Sequence, residues 1–113
     1  MNSLRGELEV KAGNLSLHAL LNMNAFRLMC QDMGMELKDL DALATSNALD
    51  FVPGVLWAGV RNWCLYHDKA MPEGLTFDRF AALILADGDA LTRYAEDIGD
   101  ALGFGTAGEE AGK

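Results

Sequence analysis

The chain has no apolar run of membrane-spanning length, only two cysteines, and only nine basic residues against seventeen acidic ones. Each scarcity excludes something. A bilayer helix needs about 20 apolar residues, and the longest run without a polar side chain is the ten residues Phe51 to Val60. The opening Met-Asn-Ser-Leu-Arg-Gly-Glu carries no apolar run of the kind a secretory signal needs. Cys30 and Cys64 each fall inside an apolar helical pattern, where a free thiol acts as a small hydrophobe. They therefore read as free thiols in a reducing, cytosolic setting, not as a disulfide framework. Nucleic-acid affinity comes largely from neutralised phosphates, so a net charge of −8 argues against such a partner. From Asp87 to Lys113 there are seven acids and two bases, which points to a basic or amphipathic protein segment as partner. The chain also shows no internal repeat, phosphate-binding glycine loop, nucleophile elbow or carboxylate pair.

What is present is one globular domain. Half of the 113 residues are apolar, enough for a single core. Leu8 and Val10, then Leu15, Leu17 and Ala19, alternate with polar residues around Ala12-Gly13-Asn14, which predicts a two-stranded hairpin over about 4–19 with one apolar face. An isolated hairpin is marginal in water, so it is expected to lie on helices or to add strands from another copy. From Asn22 the period becomes helical. Met23, Phe26, Met29, Cys30 and Met33 share a side, and Gly34 suits a C-cap. A short helix over 37–45 is expected to turn Leu37, Leu40 and Ala44 inward, with Ser46-Asn47 breaking it.

Residues 51–67 are the most apolar part of the chain and hold both tryptophans. A helix this apolar must be buried nearly all round. It is expected to start near Asp50, with Pro53 in the first turn, where a missing N–H costs nothing, and to end near Lys69. Val52, Leu56, Val60 and Trp63 form one stripe, widened by Phe51, Val55 and Gly59. Trp57 points about 120° away from Trp63 at 100° per residue. Gly54 and Ala58 would admit a close backbone approach. Thr76 then reads as an N-cap, with Asp78 in the first turn and Leu75 and Phe80 spaced as a hydrophobic staple. Phe77, Phe80, Ala81 and Ile84 follow at helical spacing. Asp87-Gly88-Asp89 caps a last helix that turns Leu91, Tyr94, Ala95, Ile98 and Leu102 inward and stops at Gly103. The domain thus spans 1–103, mainly α with a minor β element, a hairpin and four to five packed helices; 104–113 reads as a flexible acidic tail.

Candidate chemistry is thin. Cys64 and His67, followed by Asp68, lack the third orienting group and open cleft of a nucleophile–base pair and the second pair of a metal site. A buried thiol and a histidine at the negative end of a helix account for them. Asp87-Gly88-Asp89 lacks the remaining oxygens of a calcium loop. A helix-turn-helix drawn over 22–46 would set Asp39 and Asp41 against phosphates. The methionines 23, 29, 33 and 35 are more informative, because methionine surfaces adapt to varied apolar partners. Core filling accounts for Met23, Met29 and Met33 equally well, and Met35, past the helix cap, is expected to be the exposed one. No catalytic residue, cofactor or metal ligand is assigned, and the chain is expected not to be an enzyme.

The order of features carries a resemblance. Arg-Gly-Glu-Leu-Glu-Val at 5–10 leads to Asn22-Met23-Asn24-Ala25-Phe26, a methionine-rich helix ending in Gly34, and Leu-Lys-Asp-Leu at 37–40. Leu56-Trp57-Ala58-Gly59-Val60 and Leu75-Thr76-Phe77-Asp78 follow. Over about residues 4–102 this resembles the small tail assembly chaperones of long-tailed bacteriophages, with their prophage and gene-transfer-agent versions. The resemblance implies a non-enzymatic protein of the bacterial host cytoplasm, absent from the mature virion. It would bind the tape-measure protein, and with it the tail tube protein, during tail assembly, and self-associate. The family offers no catalytic residues. Within that reading Trp57, Met29, Met33 and Met35 are the expected partner-binding residues. The competing reading is a small helical homo-oligomeric structural or regulatory protein of a mobile element. Neither reading involves nucleic acid or a membrane.

Overall fold

The computed structural model describes residues 6–102, as a hairpin followed by five α-helices. Strands β1 (Glu7–Ala12) and β2 (Leu15–Leu20) pair antiparallel, with Leu8 opposite Ala19, Val10 opposite Leu17 and Ala12 opposite Leu15. These six make the apolar face, while Glu9, Lys11, Ser16 and His18 face out. Gly13 closes the turn at φ 63°, a value that disfavours any residue with a Cβ. The expected hairpin start at residues 4 and 5, the side chain of Leu102, the helix stop at Gly103 and the tail 104–113 lie outside what is described.

Helix α1 (Met23–Met33) begins at Asn22, whose side-chain oxygen accepts from the Asn24 and Ala25 amides at 3.0 and 3.3 Å. It ends at Gly34, in the left-handed conformation expected of a C-cap. Its buried face is Ala25, Phe26, Leu28 and Met29. The stripe is therefore rotated from the expected one, and Met23 is 67% exposed. A 3-10 turn (Leu37–Asp39) leads into α2 (Leu40–Ser46). Leu40 is buried as expected, but Leu37 is 53% exposed, because the 3-10 turn aims it off the α-helical stripe.

Helix α3 (Ala48–Tyr66) runs through the middle and is buried nearly all round, with Val52, Val55, Leu56, Ala58 and Val60 at the centre of the core. It starts two residues earlier than expected, since Asn47 takes the N-cap and its side-chain amide reaches Asp50. Pro53 consequently lies inside the helix, and the Leu49 carbonyl loses an i+4 donor. Leu49 is exposed, so water can serve that carbonyl. The far end also comes early: His67 caps it, and Asp68 at φ 56° turns the chain back so that the Lys69 amide bonds the Cys64 carbonyl. The close approach on this helix is made at Gly59 rather than at the Gly54–Ala58 pair. A Cβ on Gly59 would meet Leu21 Cδ2 at 2.6 Å and Ala19 Cβ at 2.9 Å, which is how the hairpin seats itself on α3.

Helix α4 (Phe77–Leu85) is capped by the Thr76 hydroxyl, which accepts from the Arg79 amide, and buries Phe80 and Ile84. Helix α5 (Ala90–Leu102) follows the Asp87 turn, where the Asp87 carboxylate accepts from the Asp89 amide at 3.0 Å. That bond, joined by Arg93, holds the Asp87 carboxyl below its ordinary range. Ala90, Tyr94 and Ile98 are the buried side of α5; Ala95, expected inward, is exposed. The Tyr94 hydroxyl accepts from the Lys11 amide at 2.8 Å, closing part of the β1 edge.

Candidate functional site

Three of the four side chains expected at a partner surface come together. Trp57, Met29 and Met33 line one cleft of about 300 Å³ with Asp32, Gly54 and Phe77. Its floor exists because residue 54 has no side chain. A Cβ there would stand 3.0 Å from Met29 Cε and 3.4 Å from Met33 Sδ, so the two methionines occupy the space that a larger residue would fill. Trp57 is half-buried and leans on α4, with its ring centroid 5.3 Å from that of Phe80 and 6.1 Å from that of Phe77. Asp32 on the rim is paired with Arg61, which balances its charge. Met29 is 1% exposed, so it supplies wall rather than contact surface; Met33 and Trp57 are the accessible members.

Met35 is elsewhere. It is half-buried, not exposed as expected, because the turn after Gly34 folds its amide back onto the Cys30 carbonyl. On that other side of α1 lie two adjoining hollows of about 260 and 400 Å³ that share Met23, Phe26 and Leu37 as a common wall. Leu40 and Phe51 deepen the first; Cys30 and Met35 belong to the second. The helical period assigned Met23 and Leu37 to the core. The sign that Leu37 faces out lies in the 3-10 turn that begins after Glu36, where the Asp39 side chain takes the Glu36 amide.

Asn62 was not legible as a site residue at all. It is 3% exposed on a helix whose other buried residues are apolar, and it is fully engaged. Its amide nitrogen donates to the Leu20 carbonyl at 2.9 Å and to Asn22 Oδ1 at 2.8 Å, and its oxygen accepts from Asn24 at 2.7 Å. A buried amide with every partner in place ties β2, α1 and α3 together and fixes their register.

Cys64 and His67 do not converge on a reacting centre. Burial pushes the Cys64 thiol up, with Lys69 offsetting part of the rise, and the sulfur points toward the Ala70 carbonyl at 3.8 Å. A nucleophilic cysteine needs the opposite shift. His67 is exposed and lies against Trp63 in a tilted contact, with ring centroids 4.4 Å apart. Among the described residues no group of three His, Cys, Asp or Glu side chains is placed to hold a metal ion, and no helix is long and apolar enough to cross a membrane. What the molecule presents is apolar recesses with methionine walls on both sides of α1. Such recesses can take aliphatic or aromatic side chains of a partner.

No family model matches this chain, and no curated protein or solved structure is significantly similar to it.

Proposed function

We propose that the protein is a non-enzymatic tail assembly chaperone of a phage or prophage, working in the host cytoplasm and binding the tape-measure protein before the tail tube forms around it. The observation that carries this reading is the cleft beside Trp57, where the space left at Gly54 is met by the unbranched ends of Met29 and Met33. A client made of repeated amphipathic helices presents similar but non-identical apolar stripes. Thioether walls adapt to such stripes better than branched side chains do. The order of hairpin and helices accords with the sequence resemblance, and the acidity of the chain suits a soluble carrier.

Co-expression with a tape-measure fragment tests the proposal: the tagged protein retains the fragment through purification, and Trp57→Ala, folded by circular dichroism, captures less of it. Undiminished capture by that variant removes the cleft from the proposal; no capture by the wild type removes the chaperone function. A second reading, a homo-oligomeric protein of a mobile element, draws on Leu65 and Tyr66, which are 62% and 61% exposed at the end of α3. Sedimentation that shows a closed oligomer indifferent to the fragment favours it.

A further inference from the structure

The face around Met23 and Leu37 is apolar, exposed and balanced in charge. Those two side chains are 67% and 53% exposed and, with Phe26, form a ridge between the two hollows. The charged residues lining the hollows are one acid and one base, Asp41 in the first and Arg27 in the second. Neither has an ion pair among the described residues. Arg27 gives its Nε–H to Asn24 at 2.8 Å and is otherwise exposed, and Asp41 is exposed as well. Beyond the lining, Glu36 lies 3.7 Å from Lys38, and Asp39 turns onto the Glu36 amide at 3.1 Å. The lining charges therefore cancel, on a chain whose net charge is −8. Exposed apolar surface of this kind marks an interaction site.

We propose that this ridge and its hollows are the contact between two copies of the chain in an isologous dimer. In such a contact the same patch meets itself across a two-fold axis, so it must complement itself in shape and in charge. In shape, the ridge of Met23 and Leu37 stands beside a hollow of about 260 Å³ walled by Leu40, Ala44 and Phe51. Each copy's ridge enters the other's hollow, as ridges pack into grooves between helices. In charge, Arg27 lies on the far side of the ridge from Asp41. Seating the ridges therefore carries the Arg27 of each copy towards the Asp41 of the other, and the pair forms twice. A helix of another protein would have to bring its own acid and base at this spacing, whereas a second copy brings both by symmetry. The cleft beside Trp57 lies on the other side of α1, so the inference does not rest on the proposed client.

The test is sedimentation of the full chain, with circular dichroism to check the fold of each variant. At about 100 μM the wild type should run as a dimer. Met23→Ala with Leu37→Ala truncates exposed side chains only and should weaken dimerisation at least about tenfold. Arg27→Asp sets an acid against Asp41 at both ends of the contact, and Asp41→Arg sets a base against Arg27. Each exchange alone should weaken the dimer by about the same factor. The two together restore opposite charges and should return the dimer to within about threefold of the wild type. A wild type that stays monomeric at that concentration overturns the proposal. So does a dimer that ignores the Met23 and Leu37 truncations but comes apart on Leu65→Ala with Tyr66→Ala, which would place the contact at the end of α3. A combined exchange no stronger than either single one overturns the pairing, and with it the two-fold arrangement. If the wild type is monomeric and truncation of Met23 and Leu37 abolishes capture of a tape-measure fragment, the groove takes a client helix and not a second copy.

Discussion

Helix α3 carries its two tryptophans on faces about 120° apart, and the two sides are built differently. Trp63 faces the hairpin and is held by direction. Its indole N–H donates to the Glu7 carboxylate at 2.9 Å, and its ring lies between His18 and His67, at 5.0 and 4.4 Å between centroids. Next to it in the chain, Asn62 fixes the end of β2 and the start of α1. Trp57 faces α4 and α1 and is held by shape: two phenylalanines on one side, two methionines and a glycine on the other. Hydrogen bonds specify one arrangement, whereas dispersion contacts with unbranched side chains tolerate several. The hairpin side is thus fixed by directed bonds, and the methionine side is where the proposed partner would be accommodated.

The sharpest way to break that contrast is Asn62→Leu. The side chain is of similar size, but the Leu20 carbonyl and the Asn24 amide lose a buried partner. We expect a loss of about 2–4 kcal/mol in urea unfolding, the cost of stranding buried polar groups. A loss under about 1 kcal/mol would mean that water replaces the amide and that the frame is not fixed by this network.

How much of this was legible in sequence follows from the same contrast. The hairpin, its apolar face and the Thr76 cap were readable because alternation and capping chemistry are local. Trp57 and Trp63 could be assigned to different faces because helical period is local too. The Asn22–Asn24–Asn62 cluster was not readable, since its members lie up to 40 residues apart and asparagine before a helix reads only as a cap. Met23 stands at the very start of α1 and is exposed there, and Leu37 was misplaced for a local reason. The period of 3.6 read over 37–45 assumes an α-helix from its first residue, whereas 37–39 fold as a 3-10 turn, which rotates Leu37 off the stripe. Of the expected partner surface, Trp57, Met29 and Met33 were brought together by facing helices. Met35 was separated from them by the fold-back after Gly34.

Two glycines on α3 give the next test, because each meets one of the two sides. At Gly59 a methyl group would press on Ala19 Cβ and Leu21 Cδ2, and the strand backbone behind them leaves little room to yield. At Gly54 it would meet only the ends of Met29 and Met33. Gly→Ala in a helix gains up to about 1 kcal/mol of propensity, and overpacking costs about 1–3 kcal/mol. Gly59→Ala should therefore lose about 1–2 kcal/mol, while Gly54→Ala should stay within about 0.5 kcal/mol of wild type. Equal losses in thermal or urea unfolding would show that the methionine wall is as stiff as the hairpin.

The smallest effect is also the most direct comparison, phenylalanine in place of each tryptophan. Trp63→Phe keeps a ring between the histidines but removes the donor to Glu7. At a half-buried site that bond is worth about 1 kcal/mol. Trp57→Phe keeps an aromatic face on Phe77 and Phe80, and the flexible methionines can close on the smaller ring. Its cost should stay below about 0.5 kcal/mol. The two variants also divide by function: Trp57→Phe changes the mouth of the cleft and should alter client capture at nearly constant stability, whereas Trp63→Phe should lower stability at nearly constant capture. If both move the same observable, the division of α3 into a frame side and a binding side fails. In that case the cleft beside Trp57 belongs to the core and not to an interface.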